Sequence, residues 1–89
     1  MRIRHKALRR FAATDDPRGL PAPFAPKLKR ILSLLAEAQG PEGIAGAYGA
    51  HPMRADFAGY WSLRVSGNWR VICRFSSGEA VDIDLIDYH

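Results

Sequence analysis

Apolar and polar positions change their period along this chain. From Trp61 onward the apolar residues fall at every second place: Trp61, Leu63 and Val65, then Trp69, Val71, Cys73 and Phe75, then Val81, Ile83 and Leu85, with Ser62, Arg64, Arg70, Ile72, Arg74, Asp82 and Asp84 between them. A period of two predicts three strands with a shared apolar face. Upstream the period lengthens. Phe24, Leu28, Ile31, Leu32 and Leu35 recur at helical spacing, so a principal helix is expected from Pro23 to the stop signal Gln39-Gly40-Pro41. Ala7, Leu8, Phe11 and Ala12 predict a shorter basic helix over His5–Ala13, and Met1–Ile3 a short edge strand. Thr14-Asp15-Asp16-Pro17-Arg18-Gly19 is turn chemistry, and residues 43–50, with three glycines, form an irregular connector. Two N-terminal helices followed by a sheet make an α+β chain.

Register follows from setting apolar residues opposite one another, because a slip of one residue sends a whole set to the wrong face. In the first hairpin this pairs Val65 with Trp69, Leu63 with Val71 and Trp61 with Cys73, around the loop Ser66-Gly67-Asn68. In the second it pairs Phe75 with Val81, Cys73 with Ile83 and Val71 with Leu85, which predicts a loop of the same length. On the opposite face Arg64 and Arg70 then become direct neighbours. Like charges so placed cost a few tenths to about 1 kcal/mol unless something offsets them, which marks the pair as a candidate anion site. Arg74 faces Asp82 and reads as structural. Ile86 falls beside Arg70, so Asp87, Tyr88 and His89 emerge within reach of the arginine pair. Spacing alone does not place His51.

Composition narrows the class. A chain of 89 residues with a net charge of +4 has room for one small domain, spanning 1–89, with modest stability to spare. The basic surplus favours a polyanionic partner. It is concentrated at Arg2, Arg4, Lys6, Arg9 and Arg10, at Lys27, Lys29 and Arg30, and at Arg54, Arg64, Arg70 and Arg74; a solvated surface without a role is the plainer reading of the same charges. No apolar run reaches membrane-spanning length and the basic N-terminus lacks a signal peptide's apolar stretch, so the expected address is the cytoplasm, with no membrane partner. The single cysteine, Cys73, excludes an internal disulfide and reads as a small buried hydrophobe.

Several stretches carry a resemblance: His51-Pro52-Met53-Arg54, the block Trp61-Ser62-Leu63-Arg64-Val65-Ser66-Gly67-Asn68-Trp69-Arg70, the ending Asp82-Ile83-Asp84-Leu85-Ile86-Asp87-Tyr88-His89, and Arg4-His5-Lys6 near the start. Together they resemble the HigB branch of the RelE/ParE toxin superfamily, the plasmid maintenance system killer family of toxin–antitoxin pairs. The resemblance implies two N-terminal helices packed on a curved antiparallel sheet. It also implies an activity, cleavage of messenger RNA in the decoding site of the 70S ribosome. The implied partner is a HigA-type antitoxin, a helix-turn-helix protein through which operator DNA would be met only indirectly. By position, His51 matches the family's active-site histidine, Arg70 its phosphate arginine, and Asp87, Tyr88 and His89 its C-terminal catalytic residues. Arg54 stands where relatives often carry lysine; it keeps the charge and grips phosphate bidentately but is a poor proton donor.

The chemistry implied needs no cofactor. RNA brings its own nucleophile, the 2′-hydroxyl, so the protein must accept that proton, stabilise charge on the phosphorus centre and protonate the departing 5′-oxygen. His51, His89 and Asp87 are candidate base and acid, in roles each worth about 10²–10⁴-fold; Arg70, Arg54 and Arg64 are candidate phosphate ligands, and Tyr88 a stacking residue. A metal reading is weak, because His5, His51 and His89 lack short ligand spacings. Lys6, Arg9, Arg10, Lys27, Lys29 and Arg30 are candidates for contact with ribosomal RNA. Two other readings stand beside this one: a ParE-like protein of the same fold that inhibits DNA gyrase by binding, and a basic domain that only binds nucleic acid or an antitoxin.

Overall fold

The computed structural model describes residues 1–88. Helix α1 spans Lys6–Thr14. Its N-terminus is capped by His5, whose Nδ1 accepts from the Leu8 amide at 3.2 Å, and its C-terminus closes at Asp15, where φ turns to 61°. A 3₁₀ turn at Ala22–Phe24 leads into α2, Ala25–Glu37, with Pro26 in the first turn, where its missing N–H leaves no bond unmade. The helix stops before the Gly40-Pro41 signal, because Ala38 already adopts an extended conformation with ψ 132°.

Four strands follow rather than three: β1 His51–Pro52, β2 Trp61–Arg64, β3 Trp69–Ser76 and β4 Glu79–Asp87. They form an antiparallel sheet in the order β1-β2-β3-β4. The extra strand is two residues long and was hidden from periodicity by its length and its proline, a residue confined to sheet edges. The expected N-terminal edge strand is a single parallel bridge, Ile3 to Ile83, flanked by backbone bonds from Arg2 to Ala80 and from Arg4 to Ile83.

The first hairpin has the expected register, with Trp61 opposite Cys73, Leu63 opposite Val71 and Arg64 opposite Arg70. The second does not. Val71 faces Leu85 and Arg70 faces Ile86 as expected, but Phe75 faces Ala80 and Arg74 faces Val81. The loop is the two-residue turn Ser77-Gly78, with φ 52° and 79°, the left-handed pair whose twist suits a tight hairpin. That turn shifts the pairing by one residue. A β-bulge opposite Cys73, with Asp82 at φ 51°, shifts it back before Ile72 meets Asp84. Ala80 is therefore the residue buried inward and Val81 is half exposed. Both are apolar, so opposing apolar residues could not decide between them. Arg74 still reaches Asp82, at 3.9 Å.

The helices cover one face of the sheet. Leu8 and Phe11 of α1 and Leu28, Ile31, Leu32 and Leu35 of α2 pack with Leu63, Val71, Cys73, Ile83 and Leu85 in one apolar cluster, each large side chain contributing about 1.5–3 kcal/mol by leaving water. Cys73 is fully buried, and burial pushes its thiol up to about 12. No helix among the described residues is long and apolar enough to cross a membrane. The other face of the sheet is left for chemistry.

Candidate active-site groove

That second face carries Ser62, Arg64, Arg70, Ile72 and Ile86, because side chains alternate along β2, β3 and β4. A groove of 590 Å³ runs over it, lined by His51, Pro52, Met53, Arg54 and Ala55 on one side, by Ser62 and Arg70, and by Tyr88. Four candidates from three separate parts of the chain, His51 and Arg54, Arg70, and Tyr88, thus share one concavity. The pairing of His51 with Ser62 sets the histidine at its rim.

The geometry at His51 fixes a tautomer. Its Nδ1 lies 2.9 Å from the carbonyl oxygen of Gly49, and a carbonyl only accepts, so Nδ1 carries the hydrogen. The neutral ring then holds its lone pair on Nε2, as a proton acceptor needs. His51 is exposed, so that nitrogen is accessible to a ligand.

Arg70 is held by the loop of the first hairpin. Its Nη1 donates to the carbonyls of Ser66 at 2.6 Å, Gly67 at 3.2 Å and Trp69 at 3.2 Å. These acceptors offset the repulsion from Arg64 across the strands, which therefore needs no bound anion to be tolerated. Nη2 and Nε make no bond among the described residues and remain to grip an anion. The same loop anchors the C-terminal segment, since the Tyr88 amide donates to the Asn68 carbonyl at 2.7 Å. Residues 66–68 therefore position both Arg70 and Tyr88, through backbone carbonyls that side-chain identity does not advertise.

The remaining candidates are less concentrated. Arg64 is Arg70's cross-strand neighbour and is exposed, but does not line the groove. Asp87 faces Trp69 and immediately precedes Tyr88. His89 lies outside the described residues. The six helix cations also lie outside the groove lining, and four have other contacts: Lys29 with Asp15 at 3.0 Å, Lys27 over the Tyr48 ring at 5.8 Å, Arg10 with the Arg18 carbonyl at 2.8 Å, and Arg9 with the Ile3 carbonyl at 3.4 Å.

Two groove residues escaped the sequence reading. Ser62, only 1% exposed, sits on the same face as the arginine pair, and the register already placed it there. Ala55 carries φ 57°, a conformation that costs an alanine on the order of 1 kcal/mol, and no local pattern signals it. It belongs to a 3₁₀ turn, Ala55–Phe57, that carries the chain from β1 back to β2.

A four-stranded antiparallel sheet covered by two helices on one face is the architecture of the RelE-like toxins. A YoeB/ParE toxin from Agrobacterium tumefaciens superposes over 100% of this chain and 99% of its own, with a TM-score of 0.61 at 21% identity, a likeness of fold. The HigB-like toxin family, described as RelE-like toxins of the type II toxin–antitoxin system HigB, matches across residues 1–89, and the chain belongs to it. It is 30% identical over 88 residues to the Endoribonuclease HigB of Proteus vulgaris, covering 98% of this chain and 96% of that protein. Membership in a type II system implies an antitoxin as partner.

Proposed function

We propose that this chain is an endoribonuclease that cleaves messenger RNA in the decoding site of the ribosome, stopping translation and growth until a HigA-type antitoxin restrains it. The observation that carries the reading is the meeting of a tautomer-fixed His51 with a loop-anchored Arg70 in one groove. His51 Nε2 takes the proton of the RNA 2′-hydroxyl. The 2′-oxygen attacks the adjacent phosphorus, a 2′,3′-cyclic phosphate forms, and the bond to the 5′-oxygen breaks. The departing oxygen takes its proton from an acid of the C-terminal segment, for which Asp87, the last residue of β4, and His89 in the sequence beyond Tyr88 are the candidates. Arg70, through Nη2 and Nε, and Arg54 stabilise the charge that develops on the phosphoryl oxygens, and the Tyr88 ring supports a base by stacking. The helix cations, which do not line the groove, meet ribosomal RNA phosphates, so ribosome binding weakens as salt rises. A protein that acted only by binding gyrase would have no use for a histidine whose lone pair is directed by a backbone carbonyl.

The test is primer extension on a reporter messenger RNA, with translating ribosomes and in parallel on naked RNA. Cleavage within codons only when ribosomes are present is expected. Uncut RNA in both reactions, with supercoiling by gyrase inhibited instead, would overturn the proposal.

A further inference from the structure

A second cationic hollow lies on the same sheet face, at its other end, with the buried Ile72 between the two. It has a volume of 560 Å³ and is lined by Arg2, Arg4, Arg74, Ser76 and Asp82 among others. The N-terminal bridge builds it. Ile3 pairs with Ile83 and packs against the core, so its neighbours Arg2 and Arg4 are directed to the opposite face. The bulge at Asp82 completes it, by presenting one carboxylate to Arg4 at 3.1 Å and to Arg74 at 3.9 Å. Arg74 is also stacked on the Tyr60 ring, 5.6 Å from its centroid. Arg2 makes no ion pair among the described residues. Arg4 and Arg74 thus share one carboxylate and Arg2 adds a third positive charge, which leaves the hollow with a positive surplus while two of its arginines are held in place.

We propose that this hollow binds a second phosphate of the RNA strand whose scissile phosphate lies in the His51–Arg70 groove. The inference rests on the ribonuclease reading above and extends it from a cleavage site to a track. Arg70 and Arg74 are on one face of β3, four residues and so roughly 13 Å apart, a span of a few nucleotides along a single strand. A cationic surface that follows a nucleic-acid backbone, with an aromatic ring beside it, is how single strands are held without regard to sequence. An acidic protein segment would satisfy the charges of either hollow, whereas a nucleic-acid backbone, with a phosphate at every nucleotide, suits both at once.

The experiment measures binding of fluorescent 2′-O-methyl RNA, which lacks the nucleophile and stays intact. One oligonucleotide is short enough to fill only the groove, and one is several nucleotides longer. The variants are Arg2→Ala/Arg4→Ala, Arg2→Ala alone and Arg70→Ala. The double variant is expected to bind the long RNA about tenfold more weakly, to lower its salt slope by about 0.7, the share of one phosphate on a single strand, and to bind the short RNA as the parent does. Arg2→Ala disturbs no ion pair and guards against a folding artefact; it should show the same length dependence at smaller size. Equal weakening for both lengths, or no change for either, overturns the second subsite, and the latter leaves the hollow to an acidic protein segment. If Arg70→Ala weakens binding in those cases, the ribonuclease reading survives. If Arg70→Ala has no effect on either RNA, that reading falls and the subsite with it.

Discussion

The two hairpins of this sheet share β3 yet solve the same geometric problem differently. Between β2 and β3 the chain turns through Ser66-Gly67-Asn68 in the register that opposing apolar residues demand. Between β3 and β4 it turns more tightly, through Ser77-Gly78, and returns to register by a bulge at Asp82. The looser loop leaves carbonyls that do not close the ladder, and these hold Arg70 and Tyr88. The tighter turn closes the ladder directly with Ser76 opposite Glu79, and the irregularity moves to Asp82, where it gathers Arg4 and Arg74. A sheet therefore gains a polar site where its ladder is broken, and the position of the break decides which residues gather.

The largest test of this comparison strikes the first hairpin. If Arg70 stabilises the developing phosphoryl charge as proposed, Arg70→Ala should lower RNA cleavage by about 10²–10³-fold, the loss usual for one such donor. The thermal midpoint should move little, since the carbonyls it leaves are exposed or only part-buried and take up water. A variant that cleaves as fast as the parent would show that the anchored guanidinium is structural. His51→Ala should lower the same rate by about 10²–10⁴-fold, and it should do so without weakening the binding of uncleavable RNA as Arg70→Ala does. Similar losses of binding in both would mean that His51 holds the substrate and takes no proton.

A second test separates the turns by stability. Gly78 sits at φ 79° with open space around the position of a Cβ, so Gly78→Ala meets no clash and its whole cost is the left-handed backbone, about 1–2 kcal/mol. Gly67 also has open space but is not left-handed, so Gly67→Ala should change stability by no more than about 0.5 kcal/mol. Urea unfolding of the pair measures the difference. Equal costs would mean that the loops constrain the backbone alike, contrary to their dihedrals.

The same contrast explains how far the chain could be read from its residues. Period two revealed the strands and period 3.6 the helices, because burial on one face imposes both. The first hairpin's register was legible since Leu63 and Val65 lie between polar residues and Val71 and Cys73 each have an arginine on one side, so a slip would have buried Arg64 or Arg70. The second was not, because Ala80 and Val81 are adjacent and apolar, and the signal that decides between them is the left-handed preference of Ser77-Gly78, a weaker one than an Asn-Gly pair would give. In the candidate site, resemblance pointed to His51, Arg70 and Tyr88, and the pattern pointed to the Arg64–Arg70 pair. Neither could reveal that Gly49 fixes the His51 tautomer or that residues 66–68 hold Arg70, since both contacts are made by backbone carbonyls. The fold of β1 back onto β2 depends on a two-residue strand and a strained Ala55, too short and too local to leave a period.

The smallest test addresses that missing signal. Ser77 occupies the first left-handed position of the tight turn, φ 52°, which asparagine tolerates better than serine. Ser77→Asn should therefore stabilise the protein by a few tenths of a kcal/mol, up to about 1. It should leave RNA cleavage unchanged, since Ser77 is exposed and lines neither hollow. If the tight turn is what drives the bulge, the variant should also slow amide exchange at Ser76 and Glu79, which face each other across the turn, relative to amides of the first hairpin. A stability loss, or faster exchange there, would mean that the three-residue loop expected from apolar pairing is the preferred closure and that the bulge at Asp82 is imposed from elsewhere, by Arg4 and the N-terminal bridge.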